Sequence, residues 1–599
     1  MTSRRRWAPL LAVAVATVVF PAAASAHALL LNTEPLRGAV VKHAPDRVVF
    51  HFNEPVETVF SAVHVFDGAG RKVDDGHVTH PEGRKQEVAI GVRDSLGNGT
   101  YTATYRVISA DGHPVSGGFV FSIGTAGAAP RFTVEQLTQK ASASLPIRIA
   151  FDAARGLEYL ALALAIGGVI FLFGPWFGGL RASAGAGGEW ESAADAFLAR
   201  ARRLLFGSVA LGVAAGIAGI LLQGATAAGT SVLSAAKPSV VRDVAKTDFG
   251  MMWSIRVGVW LVFALVLALA VRRERAPVLR PATLSSAGQA MSRRFPHPKL
   301  ALVGLAPLAF LTLSPALAGH AHTESPTWAL VPANAFHVLA MSAWLGGITM
   351  IAFALPKATR RLQTTDRTRL LAGVVGRFST LAGIAIAVVV ATGLIQSLVL
   401  VRHLHNLVDT GYGKSVLVKI CVLTGILALG AVNRQRLVPA LRRQAELGET
   451  PGRTGTLLRR TIRLEIVIAL AILGATGVLA GLAPSTAVPR GPFAKTTRLG
   501  PAELQLTVDP ARVGRNLVHL YLLNPTDGSQ YDRVKELTMA FTLPSKDVGA
   551  ISVEGRKAGP GHYVVDNAVL GIPGTWSVSI TARVSDFDEY TTDLQVPIR

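Results

Sequence analysis

Cysteine is nearly absent from this chain of 599 residues, in which Cys421 is the single example. One cysteine cannot form a disulfide within the chain, so a disulfide framework is excluded although both ends look extracytoplasmic. Cys421 also lies inside an apolar run. The folded parts outside the apolar runs must therefore be stabilised by packed cores alone.

Charged residues are scarce at 16%, while half of the residues are hydrophobic, which is typical of a polytopic membrane protein with soluble appendages. Acidic residues are fewer than basic ones, 38 against 60, so the net charge is +22. The arginines form short blocks between the apolar runs: Arg272, Arg273, Arg275, Arg293, Arg294, Arg434, Arg436, Arg442, Arg443, Arg453, Arg459 and Arg460. This distribution indicates cytoplasmic loops and disfavours nucleic-acid binding.

The first 26 residues have the three parts of a signal peptide. Arg4, Arg5 and Arg6 form a positive region, residues 7–20 are apolar, and Ala24-Ser25-Ala26 is a small-residue cleavage site. Left uncleaved, the same stretch would serve as a helical anchor. Cleavage after Ala26 makes His27 the first residue of the mature protein.

The remaining sequence predicts a multi-domain membrane protein. Residues 27–125 are rich in β-branched and aromatic residues interrupted by Gly, Pro, Asn and Asp, which predicts a β-sandwich. Residues 126–150 are a linker, and residues 151–484 contain long apolar runs that predict an α-helical transmembrane bundle. Residues 485–599 return to alternating strand patterns, which predict a second β-sandwich.

About eight spans fit the apolar runs. They lie near 155–177, 201–223, 251–271, 299–319, 334–355, 372–400, 415–432 and 463–483. Loops that carry most of the arginine alternate with loops that do not. This alternation predicts a multi-pass protein of a bacterial plasma membrane with both β-sandwiches extracytoplasmic.

The apolar region also repeats internally. Matching features of its two parts are Thr247-Asp248-Phe249-Gly250 and Thr410-Gly411-Tyr412-Gly413, Arg256 and Lys419, Gly167-Gly168 and Gly346-Gly347, Arg203 and Arg377, and Gly219 and Gly393. We therefore predict two halves of four helices each. Because each half has an even number of spans, both halves start on the same side of the membrane, so the repeat is parallel rather than inverted.

His27, Asp111 and His113 form a candidate Cu(II) site. An N-terminal histidine offers its α-amine and its ring Nδ1 as one chelate, and Asp111 and His113 add an oxygen and a nitrogen. Such a nitrogen and oxygen set in a tetragonal arrangement suits Cu(II). The alternative is that His113 is a surface histidine before a turn proline, and the spacing alone leaves both interpretations open.

Residues 27–125 resemble the CopC periplasmic copper-binding proteins. The resemblance is carried by the His27 start, Glu34-Pro35, Phe52-Asn53-Glu54-Pro55-Val56 and the segment 109–117, Ser-Ala-Asp-Gly-His-Pro-Val-Ser-Gly. It implies that His27, Asp111 and His113 are the Cu(II) ligands. Some members of that family carry a second, methionine-rich Cu(I) site. No methionine occurs here between residues 1 and 251, so we predict a domain that binds Cu(II) only.

The apolar region resembles CopD, the membrane component of copper resistance. The resembling residues are the segment 336–347, Arg377-Phe378-Ser379, Thr392-Gly393, Tyr412-Gly413-Lys414, Lys419, Asn433-Arg434 and Arg463-Leu464-Glu465. The whole arrangement is similar to the CopC–CopD fusion proteins of the YcnJ type, which take up copper. The C-terminal region resembles a YtkA-type sandwich through Gly574-Thr575-Trp576 and its strand pattern.

Several candidate copper ligands lie near the predicted outer side of the spans. His320 and His322 follow the fourth span, and His337 lies in the fifth with Met341 one turn deeper. Glu158 matches His337 in the first half, and ionisable groups within a span usually face a pathway. Imidazole with thioether can hold Cu(I). The alternative is that Met341 is core filler and His337 donates to a backbone carbonyl.

Other possible copper ligands have weaker support, because each also has an ordinary structural explanation. These are Met251 and Met252 at the start of the third span, Cys421 near mid-membrane, His403 and His405 in an outer loop, and His519 and His562 in the C-terminal region. A lone buried cysteine is more often a small hydrophobe than a ligand. The spacing of His519 and His562 does not stand above chance.

The leading functional hypothesis is copper acquisition. In this hypothesis the N-terminal domain captures Cu(II) and the helical domain imports copper. The soft ligands of the helical domain would hold the copper as Cu(I). The alternative is a non-transporting copper buffer, sensor or chaperone. An oxidative enzyme is a third class, disfavoured because the Asp111 carboxylate occupies the position that oxygen needs.

Expected partners are copper ions, the lipid bilayer and a copper chaperone or copper enzyme, and no nucleic acid. No nucleotide-binding loop is evident.

Overall fold

The computed structural model describes residues 28, 30–58, 63–93, 96–110, 112, 114–124, 144–185, 188–275, 298–482, 493–509, 511–526 and 529–598. The chain divides into two compact units. One contains the helical region, residues 143–226 and 230–486, and the other contains both β-rich regions, residues 27–142 and 487–599. The predicted signal peptide and most of the predicted linker lie outside the described residues.

The N-terminal β-rich region is a sandwich with nine strands among its described residues. They are β1 Leu30–Glu34, β2 Val40–Val41, β3 Arg47–Phe52, β4 Val56–Glu57, β5 His64–Phe66, β6 Asp74–Thr79, β7 Glu87–Val92, β8 Gly99–Ser109 and β9 Pro114–Ile123. One sheet has the order β1-β3-β7-β6, and the other has β2-β9-β8-β4 with β5 also paired to β8. Val48, Phe50 and Phe121 are fully buried between the sheets. The predicted N-terminal β-sandwich is confirmed.

The C-terminal β-rich region also has nine described strands. They are β10 Phe493–Leu499, β11 Ala502–Asp509, β12 Gly514–Leu523, β13 Glu536–Leu543, β14 Val548–Glu554, β15 Arg556–Gly559, β16 His562–Leu570, β17 Gly574–Arg583 and β18 Glu589–Ile598. The sheets run β10-β11-β12-β16-β15 and β14-β13-β17-β18. Trp576 is buried in the core, and its Nε1 donates to the Ile572 carbonyl at 2.9 Å. The predicted second sandwich is therefore confirmed.

The described part of the helical unit contains eight long helices. They are α1 Leu145–Ser183, α2 Gly188–Ala228, α3 Asp248–Arg275, α4 Pro298–Leu317, α5 Thr327–Thr359, α6 Thr364–Leu400, α7 Gly411–Glu446 and α8 Gly452–Leu479. Seven are long and apolar enough to cross a membrane, and α4 contributes a shorter apolar stretch, Val303–Leu317. The prediction of about eight apolar helices is confirmed. Helix α1 begins at Leu145, before the expected domain start at 151.

The two halves share a helix start that the sequence repeat predicts. Thr247 precedes α3 and its Oγ1 accepts a hydrogen bond from Gly250 N at 3.0 Å, as Thr410 Oγ1 does from Gly413 N at 3.0 Å before α7. A side-chain cap of this kind satisfies a backbone N–H that the first helical turn leaves without a partner. A Cβ on Gly250 or Gly413 would meet the backbone of the preceding segment, so both positions require glycine.

Helices α1 and α5 approach most closely where each carries a glycine. A Cβ built on Gly167 would meet the Ser342 carbonyl and lie 2.8 Å from Gly346 Cα, and one on Gly346 would lie 2.7 Å from Gly167 Cα. Helices in lipid lack a hydrophobic driving force for association, so small residues that allow close backbone packing hold them together. The matching glycines of the repeat thus form the contact between the two halves.

Gly346→Val is expected to destabilise the helical unit, because its side chain would be forced into the backbone of α1. We expect a loss of about 1–3 kcal/mol or more, typical of overpacking, and a lower midpoint of thermal unfolding in detergent. The control is Gly425→Val in α7, where an added Cβ meets nothing within 4 Å. Equal midpoints for the two variants would contradict the proposed contact.

Candidate copper pathway and metal-binding residues

The predicted Cu(II) ligands His27, Asp111 and His113 all lie outside the described residues. Their surroundings are described: Ala28 is buried at 2% exposure, and the register of β8 and β9 pairs Ile108 with Pro114. Asp111 and His113 therefore belong to the short connection between these two strands. The arrangement of the three ligands stays a prediction.

The geometry around His337 determines which ring nitrogen is available to a metal. His337 Nδ1 lies 2.9 Å from Thr392 Oγ1, and that hydroxyl donates its own proton to the Val388 carbonyl at 2.6 Å. In the tautomer in which Nδ1 donates to the hydroxyl, the lone pair of the neutral ring lies on Nε2. That tautomer has the arrangement of a metal-binding histidine, whose second nitrogen is held by a hydrogen bond. The ring also forms a hydrogen bond with the Val389 backbone, in agreement with the alternative that His337 donates to a backbone carbonyl.

Glu158, the counterpart of His337 in the first half, has a different environment. Its Oε1 accepts a hydrogen bond from Trp260 Nε1 at 3.1 Å and lies 4.0 Å from Arg256 Nε. The side chains of Glu158 and Arg256 are 3% and 5% exposed. The Arg256 guanidinium also lies 5.1 Å from the ring centroid of Trp253. In the second half, Lys419, which matches Arg256, is close enough to His337 to interact electrostatically.

The remaining candidates do not converge on one point. The His320 ring contacts Tyr412 edge to face, with centroids 6.4 Å apart, while His322 is exposed. Met341 is partly buried and packs against the central apolar cluster, which fits its alternative role as core filler. Within the described ranges, no group of three or more His, Cys, Asp or Glu side chains could hold a metal ion. Whether His320, His322 and Met341 bind copper stays a prediction.

The weaker candidates lie mostly on surfaces. Cys421 is exposed on α7 rather than directed into the bundle, and Met251 is 49% exposed. His403 and His405 are exposed and stack on each other with centroids 5.4 Å apart. The strands of the C-terminal sandwich bring His519 and His562 into contact, although 43 positions separate them in sequence. Sequence spacing gave no signal for this pair, because the contact depends on which strands are neighbours.

Three family models match separate parts of the chain. The CopC domain matches residues 30–124, the N-terminal domain of copper resistance protein D-like proteins matches residues 146–326, and copper resistance protein D matches residues 372–479. The chain thus carries CopC and CopD domains fused in one polypeptide. The predicted resemblance to both families is confirmed, and the CopD match together with seven apolar helices indicates a multi-pass membrane protein.

Three curated relatives are similar to the fusion. The copper transport protein CutJ of Bacillus subtilis is 27% identical over 98% of this chain and 98% of its own length. Copper resistance protein D of Pseudomonas syringae pv. tomato is 25% identical over 47% of this chain and 84% of its own. Protein YobA of Escherichia coli K12 is 32% identical over 19% of this chain and 90% of its own. The resemblance of the C-terminal sandwich to YtkA stays a prediction.

The residues that carry the CopD resemblance contact one another in the fusion. Asn433 Nδ2 donates to Glu465 Oε1 at 2.7 Å, and the Asn433 Oδ1 accepts from Thr461 Oγ1 at 2.7 Å. Arg434 Nη1 donates to the Ser379 carbonyl at 2.6 Å. These bonds join α7 to α8 and to α6, so the motif residues have a structural role in the second half.

Arg256→Leu is expected to destabilise the fusion by about 3–5 kcal/mol, because Glu158 would remain as a buried charge without its cationic partner. The midpoint of thermal unfolding in detergent measures the effect. Arg272→Leu, an exposed position of the same helix, is the matched control. The double variant Glu158→Leu with Arg256→Leu is expected to recover most of the stability. Equal losses in the single and double variants would show that the two side chains do not interact.

Proposed function

We propose that this fusion acquires copper: the CopC domain captures Cu(II) outside the cell, and the CopD module imports copper across the plasma membrane. Membership of copper transport and resistance families supports copper as the cargo. Similarity over nearly the full length to a protein named as a copper transporter supports transport over storage. The direction is our inference from the predicted topology.

An extracytoplasmic position of both sandwiches is supported by the distribution of arginine. A cavity of about 790 Å³ in the helical unit is lined by Arg369, Arg377 and Arg442, together with the end of α1 at Ser183. All of these residues belong to segments next to arginine-rich loops. Positive residues at one end of a helical bundle favour the cytoplasmic side. The opposite ends of the helices, where both sandwiches connect, are then outside.

Within the CopD module we assign the copper-binding role to His337, and the hydrogen bond to Thr392 is the single observation that carries this assignment. With Nδ1 as the donor the Nε2 lone pair is available, and Met341 follows one helical turn later with a soft thioether. Gly393, next to Thr392, lies beside the ring, since a Cβ there would be in contact with His337 Cε1 at 3.6 Å. The matching first-half residue, Glu158, differs in that its Oε1 accepts a hydrogen bond from Trp260 and lies 4.0 Å from the Arg256 guanidinium.

Capture by His27 requires a free α-amine, so N-terminal sequencing of the mature protein is expected to start at His27. Asp111→Ala and His113→Ala are expected to weaken Cu(II) binding by the full-length protein and to change its electron paramagnetic resonance spectrum, because each removes an equatorial ligand. The exposed His77→Ala is the matched control. A mature chain that starts elsewhere, or spectra that match the wild type, would refute the capture site.

Transport is tested by radiocopper uptake into cells. His337→Ala is expected to abolish uptake, and Thr392→Val is expected to reduce it by roughly 10–100-fold, because the ring loses the bond that orients it. His43→Ala, an exposed histidine of the N-terminal sandwich, controls for the loss of any histidine. Wild-type uptake by His337→Ala refutes the assigned pathway. Absence of uptake by the wild-type protein would favour a buffer, sensor or chaperone.

A further inference from the structure

Two histidines of the C-terminal sandwich point their ring nitrogens at each other. His519 lies in β12 and His562 begins β16, the neighbouring strand of the same sheet. His519 Nδ1 and His562 Nε2 are 3.1 Å apart. The register pairs Tyr521 with His562 and His519 with Val564, so the two histidines are diagonal neighbours on one face. That face is opposite to the core, into which Val518 and Leu520 point with no exposed surface.

The histidine pair is nevertheless buried. His562 and Tyr521 are each 5% exposed, and their rings stack with centroids 4.4 Å apart. His562 Nδ1 and the Tyr521 hydroxyl are buried, and neither has a hydrogen-bond partner among the described residues. A buried polar atom without a partner costs about 1–3 kcal/mol, and two apolar rings of similar shape would avoid that cost. Burial and stacking alone therefore do not account for two histidines at these positions.

The N-terminal sandwich covers this face, within the same compact unit. A Cβ built on Gly38 would lie 2.9 Å from His519 Nε2, and Gly38 has a φ of +70°, which favours glycine. The preceding Arg37 pairs with Asp509 at 2.9 Å and also donates to the Leu30 carbonyl at 2.9 Å. Arg37 thus joins the C-terminal sheet to strand β1, whose first residue follows His27 by three positions.

Both rings of the pair are neutral at pH 7. Burial lowers the pKa of His519 to about 4, partly opposed by Asp566. Burial lowers the pKa of His562 to about 3, and the positive charges of Arg556 and of a protonated His519 act in the same direction. A neutral imidazole retains a lone pair, which is the form that binds metals.

We propose that His519 and His562 bind one Cu(I) ion between Nδ1 of the first ring and Nε2 of the second. The inference rests on the proposed copper function. Structural zinc requires four ligands, and Cu(II) prefers a tetragonal set of nitrogen and oxygen ligands. No third His, Cys, Asp or Glu joins the pair in the described part of the chain to form such a set. Two neutral nitrogens in a closed, aromatic environment fit a monovalent copper ion with two ligands.

Cu(I) binding requires the two imidazole rings to move slightly apart, and it releases no proton from either ring. Metal–imidazole bonds of about 2 Å on one line would separate the two nitrogens by about 4 Å, so the rings must move apart by about 1 Å. Each neutral ring keeps its single proton on the nitrogen that faces away from the ion, which is Nε2 of His519 and Nδ1 of His562. The ion then replaces the hydrogen bond between the rings.

The test is an anaerobic Cu(I) titration of the full-length protein in detergent, in competition with a chromophoric Cu(I) chelator. His519→Phe and His562→Phe keep an aromatic ring beside Tyr521 and are each expected to lose one equivalent of tightly bound Cu(I) per chain. Exposed His43→Ala and His77→Ala are the matched controls. Unchanged stoichiometry and affinity in both Phe variants overturn the proposal.

A second variant keeps the test decisive if the Phe substitutions prevent folding. His27, Asp111, His113 and His337 are all replaced by Ala while the histidine pair is left intact. This variant is expected to bind one Cu(I) whose X-ray absorption spectrum shows two nitrogen ligands, and failure to bind Cu(I) overturns the proposal. Radiocopper uptake reports the proposed function separately. Failure of the fourfold variant to bind Cu(I), while the wild-type protein takes up copper, would reject the pair alone. Cu(I) binding by the fourfold variant, without uptake by the wild-type protein, would reject transport alone.

Discussion

The close contact of Gly167 on α1 with Gly346 on α5 is the constraint on which the helical unit depends. Neither position can accept a Cβ without a clash with the opposite backbone, so the two halves are fixed at one depth relative to each other. Glu158 precedes Gly167 by the same number of residues as His337 precedes Gly346. The glycine contact therefore places the two ionisable groups at matching levels of the two halves.

Because Glu158 and His337 lie at matching levels, the difference between their surroundings shows how the chemistry of the two halves differs. A buried ionisable group must be paired or hydrogen-bonded, and each half meets this requirement in its own way. Glu158 accepts a hydrogen bond from Trp260 and lies beside the Arg256 guanidinium, so its charge is compensated. His337 Nδ1 is hydrogen-bonded to the Thr392 hydroxyl and, among the described residues, has no cationic or anionic partner as close as the one beside Glu158. A repeated scaffold thus carries an ion pair in one half and a potential ligand in the other.

Sequence patterns predicted the parts of the fold that depend on local periodicity. The strands of both sandwiches and the apolar helices follow from residue spacing, and the sequence repeat at Thr247 and Thr410 marks two matching positions whose role as helix caps only the structure shows. The partner of Glu158 in Trp260, and the contact of His519 with His562, could not be predicted. Both depend on which helices or strands become neighbours, and on a register that spacing within one segment does not determine. The His27 site also depends on an N-terminus that only cleavage creates.

Three ligand sets distinguish the copper-handling parts that we assign to this fusion. His27, Asp111 and His113 offer several nitrogens and an oxygen, which suit Cu(II), whereas His519 and His562 offer two nitrogens, and His337 offers one with a thioether nearby. Fewer and softer ligands favour the monovalent ion. Gly38 and Arg37 join strand β1 to the sheet that carries the histidine pair, because Gly38 covers His519 and Arg37 is bonded to both Asp509 and the Leu30 carbonyl. The pair is therefore closed by residues of the N-terminal sandwich, so Cu(I) can enter only if this contact opens.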